Sequence, residues 1–364
     1  MDSLPGDNRG TKTGSRSPWF QGVMIFLGFS LFGLAAIFVM ADGAEETLTI
    51  LAQLDWRYVA LFLAMTVAGY FLGGARTWFI ATPALQKQVS YWGCFKAELG
   101  NRFIGQVTPM QSGAGPAQLY LLHRAGLQLG EAMAVSLINF SCSMLVIFIF
   151  AGAIALSGVG VVTDGVLGYL LQFSFLCLAG ICAIVLFITL RPGMVSTLST
   201  GIRRIIEWVR PGSGAFWDAL LVRLRRHLRQ LWEHVTHFWK RRPWYVVGGV
   251  VATILVYGNK FALAYFIVRS LGVAVEFWDV ISAMVILQAI LYFSPSPGAS
   301  GIAEIAAGSL MSYVLPTAHL LAFTIMWRFC NSYLGILVGG AVLNREIKAS
   351  IADLIQLKGR VARS

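Results

Sequence analysis

Apolar runs of about 20 residues recur along the chain, and each is long enough to cross a bilayer as a helix. They lie at 19–40, 58–80, 131–157, 166–190, 244–268 and 318–342. The pattern predicts an all-α polytopic membrane protein with about six transmembrane helices. Two further stretches are apolar but broken. Residues 88–123 contain Lys96, Glu98 and Arg102, then the breaker Thr108-Pro109-Met110-Gln111-Ser112-Gly113-Ala114-Gly115-Pro116. Residues 280–315 hold two short apolar pieces around Ser294-Pro295-Ser296-Pro297-Gly298-Ala299-Ser300-Gly301. Non-helical backbone at membrane depth is tolerated only where it is buried in protein or lines a wet cavity. Both stretches therefore read as re-entrant helical hairpins.

Charge orients these elements, because Lys and Arg gather on the cytoplasmic side of short loops. The loop 41–57 carries Asp42, Glu45, Glu46 and Asp55 against Arg57, and is expected outside. The segment 191–243 is rich in arginine, as is the tail with Arg345, Lys348, Lys358, Arg360 and Arg363. Both are expected inside, which makes both termini cytoplasmic. Parity then has 88–123 enter and leave from the inside and 280–315 from the outside. The resulting organisation is a tail at 1–18, a first membrane half at 19–190, a basic cytoplasmic segment at 191–243, a second half at 244–342 and a basic tail at 343–364.

Aligning Pro109 with Pro295, an offset of 186, pairs Gly115 with Gly301 and Gln118 with Glu304. Two such copies of opposite orientation form an inverted-topology repeat, a common plan in transporters.

Composition agrees with lipid as the solvent. Of 364 residues, 57% are hydrophobic and only 12% charged, against about a quarter charged in soluble domains. The net charge of +11 is concentrated in the cytoplasmic segments. Arg9, Lys12 and Arg16 precede the first run as in a signal peptide, but 19–40 exceeds an h-region of about 7–15 residues, so an uncleaved helix is expected. Within 215–242, Leu and Trp recur at helical spacing opposite an Arg-rich face, which predicts an interfacial helix drawn to anionic headgroups. His227, His234 and His237 read there as wet-face residues rather than a metal site. The five cysteines lack disulfide or CxxC spacing and read as packing residues.

Charges inside the spans carry the candidate chemistry, because an isolated mid-bilayer charge costs about 2.5–3.5 kcal/mol on insertion scales. Lys260, beside Asn259, and Arg328 fall at similar depth in their spans, and Glu304 begins the second half of the outer hairpin. Together they suggest a cationic pocket for an anionic headgroup, with Arg328 as the bidentate grip and Lys260 as a point charge. Backbone N–H groups after Gly298 and Gly301 would add a helix N-terminus. The competing reading is a Glu304–Arg328 ion pair that pins the hairpin. The inner hairpin offers a second set, Glu98, Asn101, Arg102, Gln111 and Gln118, or else an interfacial helix with a solvated face. Arg76, nearer the inner interface, is expected to snorkel. Catalytic motifs such as HExxH, GxSxG and the Walker loop are absent from the sequence. No enzyme activity, cofactor or metal is expected, and no nucleic-acid partner.

The breakers carry a resemblance. Ser294 to Glu304 resembles the "TPGGSGxxE" stretch of the lysylphosphatidylglycerol synthase transmembrane, or flippase-like (UPF0104-type), family. Gly113-Ala114-Gly115-Pro116-Ala117-Gln118-Leu119-Tyr120-Leu121-Leu122 resembles its "GGGPxQxYLL" stretch. Ala299 and Ala114 replace glycines usual there. The family includes the membrane half of multiple-peptide-resistance proteins and proteins linked to hopanoids and lipid-linked sugars. The resemblance implies a stand-alone member without the aminoacyl-transferase domain, acting as a lipid translocase of a bacterial inner membrane. Its partners are then a membrane lipid substrate and anionic headgroups at the cytoplasmic face. The rival expectations are an enzyme acting on a phospholipid or polyprenyl-phosphate headgroup, and a non-transporting scaffold of a lipid-synthesis complex.

Overall fold

The computed structural model describes residues 18–40, 44–85, 88–157, a few helical positions between 169 and 183, and 243–361. Among the described residues all regular structure is helical. Helices α1 (Pro18–Met40), α3 (Trp56–Leu85), α6 (Leu129–Ser157) and α7 (Pro243–Ser270) each contain a stretch able to span a bilayer, as does Thr317–Ser350. Most of the expected span 166–190 lies outside the described residues, and the basic segment with its interfacial helix and histidines lies outside them too.

The core is an antiparallel pair, α3 and α7, brought close by small residues, as is usual where lipid gives no hydrophobic drive between helices. Gly248 faces Phe79, Gly249 faces Ile80, and the Asp55 N–H donates to the Ser270 carbonyl at 3.0 Å at the other end. Aromatic side chains cluster at both ends of α3. Trp78 meets Tyr91 at one end, with Trp92, Phe95 and Phe71 alongside. Tyr58 stacks on Phe266 at the other, continuing through Tyr265 and Phe277 to Trp278. Twenty residues of helix separate Tyr58 from Trp78, a rise of ~30 Å at 1.5 Å per residue. That matches the hydrocarbon thickness at whose edges aromatic belts sit.

Both broken stretches fold as helix–turn–helix units of short arms. The first is α4 (Tyr91–Val107) and α5 (Ala114–Arg124); the second is α8 (Phe277–Tyr292) and α9 (Ile302–Met311). Helix α8 is buried at nearly every position from Val280 to Leu291, as its all-round apolar sequence requires. Helix α4 lies antiparallel to α3, with Phe95 on Gly74 and Glu98 on Gly73.

The two turns share a backbone and pack against each other. Pro109–Gln111 and Pro297–Ala299 are single 3-10 turns, each followed by Ser then Gly. Met110 and Gln111 have φ of 51° and 53°; Gly298 and Ala299 both have 56°. Pro109 therefore corresponds to Pro297, an offset of 188, and the expected pairing with Pro295 is corrected by two residues. The turns diverge at the next residue, where Ser112 has ψ −29° and Ser300 ψ 146°, and again at Gly113 (φ −80°) and Gly301 (φ 81°).

The expected span 318–342 is likewise not one continuous α-helix. It consists of α10 (Thr317–Arg328), a π turn at Phe329–Tyr333, and α11 (Leu334–Val361). Helix α11 continues far past the expected end at 342, so most of the basic tail is helical. The loop 41–57 contains a short helix, α2 (Ala44–Ala52), with Glu45 and Glu46 in its first turn, where acidic groups complement the helix dipole.

Candidate functional site

Helix α9 starts where the backbone needs glycine. Gly301 has φ 81°, a conformation that L side chains resist. Glu304, three residues on, folds back over that start and its Oε2 accepts the Gly301 N–H at 2.7 Å, one half of a capping box. Oε1 accepts from Arg328 Nε at 2.7 Å, and Ser30 Oγ of α1 also donates to it. Arg328 ends α10 and donates through Nη1 to the Gly298 carbonyl at 3.3 Å and to Ser332 Oγ at 3.1 Å. Its guanidinium lies 5.2 Å from the Phe26 ring of α1, a cation–π distance. Glu304 is 0% exposed and Arg328 1%. The helix N-terminus expected to receive an anion is thus filled by the protein's own carboxylate.

The first broken unit builds a second cluster around Glu98. Arg102 Nε donates to Glu98 Oε1 at 3.0 Å, and Arg76 Nη2 stands 3.6 Å from Oε2. Gly73 makes room, since a Cβ there would lie 2.6 Å from the carboxylate. Arg102 also donates to the Gly69 carbonyl at 3.3 Å and lies over the Tyr70 ring. The snorkelling expected of Arg76 from its sequence position is overturned. Arg76 is buried and donates to Ser143 Oγ at 3.0 Å, because partners at its own depth replace the reach to water.

Lys260 stands apart from Glu304. Its Nζ donates to Gln288 Oε1 of α8 at 2.7 Å. One helical turn away on the same faces, the hydroxyls of Tyr257 and Tyr292 meet at 2.7 Å. Among the described residues no carboxylate pairs with Lys260, which lies within electrostatic range of both Arg102 and Arg328. Asn259 donates to the Met65 carbonyl at 3.0 Å. Asn101 donates to the Ala114 carbonyl at 3.1 Å and to Gln118 at 3.4 Å, lacing α4 to α5. Gln111 sits in the turn between them, half-exposed.

The structure therefore brings Glu304, Arg328, Gly298 and Gly301 together, groups Glu98 with Arg102, and sets Lys260 near both clusters. Among the described residues these clusters hold four cations, Arg76, Arg102, Lys260 and Arg328, and two carboxylates, Glu98 and Glu304, so that two of their positive charges have no matching carboxylate. Ser30, Phe26, Tyr333, Ser332 and Gln288 are site residues that sequence reasoning missed. Gln288 alone carried a signal, as the one amide inside the apolar run of α8.

Comparison with known proteins places this arrangement. A UPF0104 membrane protein of Archaeoglobus fulgidus is 20% identical over 331 residues, covering 89% of this chain and 97% of the relative. Residues 23–339, which hold both broken units and every site residue above, match the family described as the lysylphosphatidylglycerol synthase TM region. The chain is a multi-pass membrane protein and belongs to that family.

Proposed function

We propose that the protein is a flippase-like transporter, not an enzyme, that moves an anionic or amphiphilic lipid across the cytoplasmic membrane by alternating access. The observation that carries this reading is the pair of unmatched positive charges at membrane depth. Two buried Arg–Glu clusters hold themselves, and among the described residues Lys260 near them has only a neutral amide for a partner. An anionic headgroup supplies the missing charge, with phosphate the natural ligand for an ammonium beside guanidinium groups.

The same reading treats 88–123 and 280–315 as re-entrant hairpins of an inverted repeat, entered from opposite sides. Three features support it. The arms are short, the turns share a backbone and touch, and α4 and α8 start at aromatic clusters on opposite ends of α3. Discontinuous helices meeting near the midplane are how many transporters build a site.

The test is movement of fluorescent phosphatidylglycerol in proteoliposomes, read by quenching of the outer leaflet. Lys260→Met is expected to lose most of the flux, and Arg328→Ala as well. Equal movement by wild type and both variants rejects the headgroup site.

A further inference from the structure

Helix α1 is the least embedded of the five described spans: 28% of its apolar window is buried, against 39–56% for the others. Its most buried contacts run along one stripe, Gly22, Phe26, Ser30, Gly33 and Ile37, with Val23 and Leu34 packing beside it. Gly33 lies so close to α9 that a Cβ would stand 2.8 Å from Glu304 Cβ, and Ile37 packs on Gly308. Ser30 binds both Glu304 and, at 2.7 Å, the Tyr333 hydroxyl, so one α1 hydroxyl closes the Glu304–Arg328 site on this side. Beside the stripe, on the outward face, lies an open apolar groove of about 450 Å³ lined by Ile25, Gly28, Phe29 and Phe32. Nothing fills the notch at Gly28, while the Phe29 carbonyl and ring adjoin Gly301. Phe29 therefore stands between the groove and the turn at Gly301. Arg328 Nη2, buried on the Phe26 side, has no hydrogen-bond partner among the described residues.

We propose that α1 is a lateral door to this site, and that the groove holds an acyl chain of the lipid whose headgroup passes between α1 and α9. The occupant follows from the surroundings: the groove is almost wholly apolar, lies on a spanning helix, and includes Phe29, which adjoins the Gly301 turn beside the Glu304–Arg328 pair. As α1 swings, Ser30 releases Glu304 and a phosphate oxygen takes the open Arg328 donor. Small residues along the stripe let the helix seat tightly, and few polar contacts hold it, so it closes well and opens cheaply. This inference rests on the lipid-transport reading.

The test bridges the seam with a disulfide. In Ile37→Cys/Gly308→Cys the new Cβ at 308 falls where Ile37 side-chain carbons now lie at 3.2–3.3 Å, which places the two thiols in disulfide range. Oxidation is expected to cut phosphatidylglycerol flux roughly tenfold or more if opening gates transport, with recovery on reduction. A second readout does not need transport. The thiol of Ser30→Cys is expected to react with N-ethylmaleimide in liposomes, located by mass spectrometry, and to be protected when the bridge is closed. Undiminished flux through fully bridged protein overturns the door. So does a residue-30 thiol that never reacts. Protein that moves no lipid in any form rejects the transport reading, and residue-30 labelling then decides the door by itself.

Discussion

Glu304 and Lys260 carry opposite consequences although both are ionisable groups at membrane depth. Glu304 is saturated by the Gly301 N–H, Arg328 and Ser30, so Glu304→Gln leaves a 1%-exposed guanidinium without its counter-charge. Breaking a buried pair from one side costs about 3–5 kcal/mol, and a clear drop in melting temperature in detergent is expected. Restoring neutrality in Glu304→Gln/Arg328→Met is expected to recover part of that loss. Lys260→Met removes an unpaired cation from the interior, so the same melt is expected unchanged or raised while flux falls. A variant of Lys260 that melts early instead makes the lysine a structural group. The sequence singled out Lys260, Glu304 and Arg328, because cost alone marks a mid-span Lys, Arg or Glu. It did not reveal who holds them: Ser30 meets Glu304 across 274 residues, and no local pattern encodes that contact. Arg76 was misread for the same reason, its Ser143 partner being 67 residues away.

The two turns set the arms, and their backbone decides which residues they accept. Ala299 holds φ 56° where its neighbour Gly298 does so freely. A non-glycine residue there costs about 1–2 kcal/mol, partly offset in Ala299→Gly by the looser unfolded chain. A net gain of roughly 0.5 kcal/mol, seen as a slightly higher melting temperature, is expected. Gly298→Ala is expected to do the reverse by about 1–3 kcal/mol, since its Cβ would also lie 2.7 Å from the Gln106 carbonyl. If both changes shift the melt the same way, the turn does not govern the stability of α8 and α9. At this scale the broken helices were legible from their Gly and Pro, because those residues act locally. The register between the turns was not, since Pro295 and Pro297 both offer a match and only dihedral angles choose. Nor was the π turn legible; Phe329–Tyr333 holds no breaker, and its extra residue follows the seating of Arg328 against Ser332 and Gly298.

At the scale of the whole molecule, the aromatic clusters make topology testable. Trp92 opens α4 beside Trp78 and Phe71, while Trp278 opens α8 beside Tyr265 and Phe277. If these rings are interfacial and mark the two bilayer edges, the proposed hairpins start on opposite faces. The proposed re-entrant reading has each unit end on the face where it began; α9, of 10 residues, rises only ~15 Å and does not cross alone. Trp278 and Tyr313 flank the outer hairpin and both are exposed. Trp278→Cys and Tyr313→Cys are therefore expected to react with a membrane-impermeant maleimide applied to intact cells. Trp92→Cys is expected to react only after permeabilisation. If the thiols at 278 and 313 report different sides, the second unit crosses the membrane and the inverted repeat falls, taking with it a site reached alternately from the two faces. If 92 and 278 report the same side, the aromatic clusters are packing contacts and not interface belts, and Lys260 loses its placement midway between the two leaflets.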